Sequence, residues 1–297
     1  MTEVIDYIRQ RELGGDIRLL APEDVGRLRQ SWDARHTLTD LRQIASSPAN
    51  LSLWNARTGE YVVGGPWRHR TEILEIVDIA AVGGAVELVQ AFAQTAEERG
   101  VELVLVPERS ERRKEQFYGA VGFEAIEEIT IYEMHHLRPP RHRPLIPVFN
   151  RIDIHHPGSH HTLLELDNEA FPWLWRNSEA EFANYAAAPG VEIEIAFDNG
   201  GRPLAYVGYT KLRTWGHLDR IAVSPAAQGG GLGRVALEYA VARMVAAGAR
   251  RVGLSTQANN HVSRALYESF GFHRNASHDY RLYGRRFATQ GEKETSQ

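Results

Sequence analysis

The sequence predicts an α/β protein made of two copies of one unit, each a mixed sheet with helices on both faces. Three observations carry this reading. At roughly 100–200 residues per domain, a chain of 297 residues fits two domains. Arg138–Pro147 holds four prolines near the midpoint of the chain. Proline removes backbone donors and restricts the residue before it, so this stretch reads as an extended linker. Finally, the halves repeat each other. The strand-like runs starting at Gly100 and Gly248 lie 148 positions apart, and Tyr118/Tyr267 and Phe123/Phe272 lie 149 apart. The expected division is 1–137, a linker over 138–147, 148–287, and a polar tail over 288–297.

The elements of the second copy follow from periodicity. Glu165–Phe171 and Glu179–Tyr185 read as helices. Val191–Phe197 alternates and reads as a strand, with a hairpin turn at Asp198–Gly201 and a return strand over Pro203–Lys211. His217–Val223 is a further strand. Leu237, Ala240, Val241, Met244 and Val245 fall at i, i+3, i+4, i+7 and i+8, giving a helix over Arg234–Ala247. A strand over Arg251–Ser255, a helix over Val262–Ser269 and a closing strand at Tyr280–Tyr283 complete it. Hairpins followed by β-α-β give a mixed sheet.

Composition narrows the function. The net charge of −4 argues against a nucleic-acid binder dominated by phosphate contacts. With no cysteine, disulfides, thiolate metal sites and cysteine nucleophiles are excluded. The charged start at Met1–Gly15 has no apolar core for a signal peptide, and no apolar run approaches the roughly 20 residues of a membrane span. The expectation is a cytoplasmic monomer or homodimer with no nucleic-acid or membrane partner. The histidine-rich stretch His155–His161 lacks a carboxylate pattern, so it reads as a solvated loop and no metal is expected.

The most informative segment is Val223–Gly233, which joins a strand to a helix and contains Gly229, Gly230, Gly231 and Gly233. First-turn N–H groups lack intrahelical partners, and the helix dipole places positive charge there. Glycines remove the Cβ atoms that would hold off a bulky anion, so a pyrophosphate suits the site. Neither the Rossmann nor the Walker glycine spacing is present.

Gln228-x-x-Gly231-x-Gly233 after a strand ending Val-x-Pro resembles motif A of the GCN5-related N-acetyltransferases (GNATs). Asn260-x-x-Ser263-x-x-Leu266-Tyr267-x-x-x-Gly271-Phe272 is similar to that family's motif B. The resemblance covers about residues 150–287; the first half shares only the later elements. Two tandem GNAT folds, an arrangement like that of mycothiol synthase, are therefore expected. The resemblance implies acetyl-CoA as co-substrate and transfer of its acetyl group to a primary amine on a small molecule or peptide. Its pyrophosphate would lie on Gln228, Gly229, Gly230, Gly231, Leu232, Gly233 and Arg234. Its pantetheine arm would run along Ile221, Ala222 and Val223, beside a strand bulge. The N–H near Val223 would polarise the thioester carbonyl. Tyr267 matches the general acid, and Asn260 matches a pantetheine-binding or helix-capping position. A non-catalytic acyl-CoA-binding module of the same fold is the alternative.

The base is open between His217, Asp219 and water. His217 stands where several family members carry glutamate, and alternation places His217, Asp219 and Ile221 on one face. Phe171, Trp173 and Trp175 form an aromatic acceptor wall or pack into the interior. In the first half, the same offset sets Ile73–Ile79 on the cofactor strand and Ala80–Ala85 on a loop of about equal length. Gln228 becomes Ala80 and Gly233 becomes Ala85, so this half is expected not to bind acetyl-CoA.

Overall fold

The computed structural model describes residues 15–30, 34–109, 115–137, 147–152 and 156–288. The predicted linker, apart from Pro147, and the tail, apart from Ala288, lie outside these residues, as do residues 1–14 and His155. The chain divides into two compact units, residues 1–127 with 280–297, and residues 128–279.

In chain order the elements are β1 (Ile17–Leu19), α1 (Leu38–Ser46), β2 (Leu51–Asn55), β3 (Tyr61–Trp67), β4 (Arg70–Ala80), α2 (Ala85–Glu98), β5 (Leu103–Glu108), α3 (Glu115–Ala120) and β6 (Glu124–His135). They continue with β7 (Phe149–Arg151), α4 (Pro157–Ala170), α5 (Glu179–Ala187), β8 (Val191–Phe197), β9 (Pro203–Leu212), β10 (Trp215–Val223), α6 (Leu232–Ala246), β11 (Arg251–Gln257), α7 (His261–Phe270), β12 (His273–Arg274) and β13 (Tyr280–Arg286).

The first unit orders its strands β1-β2-β3-β4-β5-β13, and the second β7-β8-β9-β10-β11-β6. In both, the pairings are antiparallel except one, β4 with β5 and β10 with β11. The two sheets are thus the same sheet, and the repeat in the sequence is a repeat in structure. The division at 138–147 is corrected in one respect. The strand at 280–286, expected to close the second copy, pairs with β5 of the first unit. Reciprocally, β6 pairs with β11 of the second. Each half of the chain lends its last strand to the other, because an antiparallel edge can be completed by any strand of matching pattern.

A second correction concerns α4. It begins at Pro157, a residue whose missing N–H costs nothing in a first turn, so His156–His161 open a helix rather than a loop. Among the described residues, no group of three or more metal-binding side chains is gathered, and no helix is long and apolar enough to cross a membrane.

The core of the second unit lies on both faces of its sheet. Leu218, Tyr209 and Val207 pack with Leu237, Ala240, Val241 and Met244 of α6. Tyr206, Ile193, Ile195 and Ala222 pack with Leu163, Leu166 and Phe182 of α4 and α5. Burying each large side chain contributes about 1.5–3 kcal/mol, which fixes β10 between two layers of helices.

Candidate active site

The second unit's site is built where β10 and β11 part. Their parallel pairing runs from Trp215/Arg251 to Leu218/Leu254 and stops there, although both strands continue. The cause is a bulge. Leu218 sits opposite Tyr209 and Arg220 opposite Gly208, so Asp219 is an extra residue in β10. The bulge was expected; its effect on alternation corrects the face assignment. Ile221 and Val223 pack on the α6 side, while Ala222 faces α4 and α5. His217 and Asp219 stay together: His217 Nδ1 and Asp219 Oδ1 are 2.6 Å apart. Ile221 is separated from them because one inserted residue inverts every side chain beyond it.

Asp219 is fully engaged. Its Oδ2 accepts hydrogen bonds from the Tyr185 hydroxyl at 2.6 Å and the Thr210 hydroxyl at 2.7 Å. Burial, reinforced by the charge of Asp219, pushes the Tyr185 phenol far above its ordinary range, so it remains a donor. Asp219 therefore holds the His217 ring through its Nδ1.

The glycine loop begins one residue after β10. The Gln228 side chain donates to the Val223 carbonyl at 3.1 Å and closes the loop onto the strand. Gly231 caps α6 in the left-handed conformation, with φ of 81°, which only glycine adopts freely. A Cβ at Gly229, Gly230 or Gly231 would meet nothing within 4 Å. Among the described residues no side chain bonds the N–H groups of residues 229–233. Leu232 is buried against α6's own layer, and Arg234 Nη1 donates to Ser269 Oγ at 3.2 Å. Residues and spacing both fit an anionic diphosphate.

The motif B helix α7 lies against this loop. A Cβ on Gly233 would be 3.6 Å from Leu266 and 4.0 Å from Val223, so the loop, the end of β10 and α7 converge. Tyr267 is 8% exposed, and burial pushes its phenol up to about 12, partly offset by the Ser263 hydroxyl. It holds its proton throughout the neutral range. Asn260 caps α7, its Oδ1 accepting from the Ser263 N–H at 3.1 Å.

The aromatic segment divides. Trp175 is buried, and its carbonyl accepts from Arg220 Nη2 at 2.9 Å. One face of Phe171 is covered by the Arg220 guanidinium, 3.8 Å from the ring centre. Trp173 is half-buried. What the sequence reading missed is the clamp behind them. Arg220 pairs with fully buried Asp167 at 2.6 Å, and Asp167 also accepts from the Asn177 N–H at 2.7 Å and from the Tyr206 hydroxyl. Burial alone would lower the Arg220 pKa, but Tyr206 and Asp167 outweigh it and hold the charge. The available signal was an arginine between Leu218 and Ala222, at inward positions of a strand.

Comparison with known proteins bears on this arrangement. Residues 160–272 match the family model described as the acetyltransferase (GNAT) family. The [ribosomal protein bS18]-alanine N-acetyltransferase of Escherichia coli K12 is 31% identical over 116 residues, which span 39% of this chain and 73% of that protein. The chain belongs to the GNAT family. It is accordingly an acyltransferase. Among solved structures, a GCN5-related N-acetyltransferase from Sphaerobacter thermophilus is similar over 91% of this chain and 95% of its own, with 15% identity and a TM-score of 0.59. A tandem GNAT protein from the clavulanic acid biosynthesis pathway is similar over 91% and 98%, with 14% identity and a TM-score of 0.56. At these identities the likeness is one of fold.

Proposed function

We propose that the second unit of this GNAT protein transfers the acetyl group of acetyl-CoA directly to a primary amine. The observation that carries the proposal is the open glycine loop at the start of α6, converging with α7 on the end of the bulged strand that bears the His217–Asp219 pair. Acetyl-CoA supplies an activated acetyl group on a thioester. The N–H groups of residues 228–234 and the α6 dipole hold its diphosphate. The edge of Ile221–Val223, freed from β11 by the bulge, pairs with the amides of the pantetheine arm. Phe171 and Trp173 border the acceptor, held by the Arg220–Asp167 clamp.

The residues then divide the proton traffic. His217 Nε2 takes a proton from the acceptor ammonium, directly or through water, while Asp219 fixes the Nδ1–H tautomer and steadies the resulting imidazolium. The neutral amine attacks the acetyl carbonyl, the C–S bond breaks as Tyr267 gives its proton to the departing thiolate, and the proton shed by the attacking nitrogen as the amide forms passes through water to restore the Tyr267 phenol. No covalent enzyme intermediate is needed, in keeping with a chain that has no cysteine.

The test is release of free CoA. A thiol-specific dye has no protein background here, since the chain carries no thiol. The acceptor panel begins with peptides bearing an N-terminal alanine, the substrate type named for the Escherichia coli relative, followed by small amines. Acceptor-dependent CoA release is expected. Tight acetyl-CoA binding with no release across the panel would favour a binding module instead.

A further inference from the structure

The His217–Asp219 pair is gripped from a helix that takes no direct part in proton transfer. Asp219 Oδ2 accepts from the Tyr185 hydroxyl of α5 at 2.6 Å and from the Thr210 hydroxyl of β9 at 2.7 Å. Its other oxygen, Oδ1, lies 2.6 Å from His217 Nδ1. Both carboxylate oxygens are therefore engaged, one by two hydroxyls and the other by the imidazole. The grip matters because Asp219 is the extra residue of the bulge. A bulged residue stands outside the ladder, so its backbone alone does little to fix its side chain.

Tyr185 reaches Asp219 across Gly208. A Cβ at Gly208 would lie 2.8 Å from the Tyr185 hydroxyl oxygen, 3.1 Å from Cε1 and 3.3 Å from Cζ. Any other residue there would push the tip of the ring aside. Gly208 has no positive φ, so the close approach of the ring, and not backbone strain, calls for glycine within this strand. The helix that carries Tyr185 follows directly on Phe171–Trp175, and it is anchored near its start, where the Asn177 N–H donates to Asp167 at 2.7 Å.

The first unit supplies an internal control. Val63 sits opposite Asp78 and Gly64 opposite Ile76, so β4 carries a bulge at Val77 that matches the one at Asp219. With β5 and β11 matched at the repeat offset, Glu75 stands where His217 does, Val77 where Asp219 does and Val63 where Gly208 does. Val63 and Val77 pack in one apolar cluster. The bulge thus forms without a carboxylate, and the unit that lacks the carboxylate also lacks the glycine that would admit a tyrosine. Gly208, Tyr185 and Asp219 belong together, and the fold does not require them.

We propose that Tyr185 is a positioning residue for proton transfer in the second unit: through Asp219 it fixes the tautomer and orientation of His217, tying the base to the helix that follows the acceptor wall. The proposal rests on the reading of His217 as the base. Ring-nitrogen NMR on the full chain, labelled with ¹⁵N in its histidines, reads the hold without any reaction; the His217 signals are those missing from His217→Ala. The neutral ring is expected to carry its proton on Nδ1 in the native protein and to become a mixture of the two tautomers in Tyr185→Phe. Gly208→Ala, which keeps the hydroxyl but displaces it, should give the same change. In turnover, Tyr185→Phe should lower kcat about 10-fold, a fraction of the roughly 10²–10⁴-fold that base catalysis contributes, with the KM for acetyl-CoA unchanged. In a His217→Ala background the same substitution should cost nothing further. Ring nitrogens that respond to neither variant would overturn the proposal. So would an equal loss of turnover with and without His217, which is what a packing role gives. The underlying reading fails by a different result: full turnover in His217→Ala, with the spectra still responding to Tyr185→Phe, would move the base elsewhere while the hold on the ring stands.

Discussion

The two glycine-bearing loops of this protein start from the same strand and end in the same kind of helix, yet one is open and the other is filled. In the second unit eight residues, 224–231, connect β10 to α6; in the first only four, 81–84, connect β4 to α2. The expectation of equal length fails because the pairing registers put Ile73, not residue 67, opposite the start of the slot: Ile73 pairs Leu103 as Trp215 pairs Arg251. The short loop then wraps the Glu60 carboxylate. A Cβ on Gly84 would come within 2.8 Å of it, whereas the three consecutive glycines of the longer loop face empty space. A shared scaffold therefore says little about whether a phosphate can bind; the two loops differ by four residues and one carboxylate.

The sharpest way to break that contrast is to give the second loop what the first has. Gly230→Glu introduces a carboxylate without a left-handed backbone position. Acetyl-CoA affinity should fall by at least about 100-fold in calorimetry, since the new charge occupies the helix N-terminus; retained affinity would mean that the diphosphate sits elsewhere. Tyr267→Phe should lower turnover about 100-fold with little change in acetyl-CoA affinity, while Tyr118→Phe should leave turnover as it is. Equal effects of the two would erase the functional asymmetry.

Next in size is the base. His217→Ala should flatten the acid limb of the pH–rate profile. Asp219→Asn should shift that limb less, because it disturbs the partner of the imidazole rather than the imidazole itself. The alkaline side offers a complementary reading. Tyr267 is held up at about 12, so activity should persist through pH 10, where an ordinary phenol would be half ionised.

The smallest expected effect belongs to Glu60→Gln. Burial pushes the Glu60 pKa up, but three backbone donors and Thr58 outweigh it and hold it below the usual carboxylate range. A depressed folded pKa stabilises above the unfolded value and is lost as pH falls through the folded one. The variant should thus be less stable by about 2 kcal/mol at neutral pH, with the gap closing under acid in parallel thermal melts. Acetyl-CoA stoichiometry should stay at one per chain, because the loop remains short; a rise to two would show that Glu60 alone separates the units.

Much of this was legible in the sequence. The repeat offset, the helix over Leu237–Val245, the motif A loop and the pairing of His217 with Asp219 all rest on local periodicity or spacing. What escaped is what depends on partners distant in sequence. Asp167 and Arg220 meet across 53 positions, and Glu60 reaches Val82 across 22. A bulge inserts a single residue with no mark in composition, so Ile221 read as sharing a face with His217. Loop length in the first half was hidden for the same reason: the repeat holds at 148–149 through its later elements but not on β4.

The reciprocal loan of β6 and β13 has a consequence for synthesis. The first unit emerges from the ribosome early, but its sheet is missing an edge until residues 280–286 have been made. The second unit already has its borrowed strand in hand when its own residues appear. The half translated first is therefore finished last, and during that wait the open edge of β5 is the place on the nascent chain most in need of a chaperone.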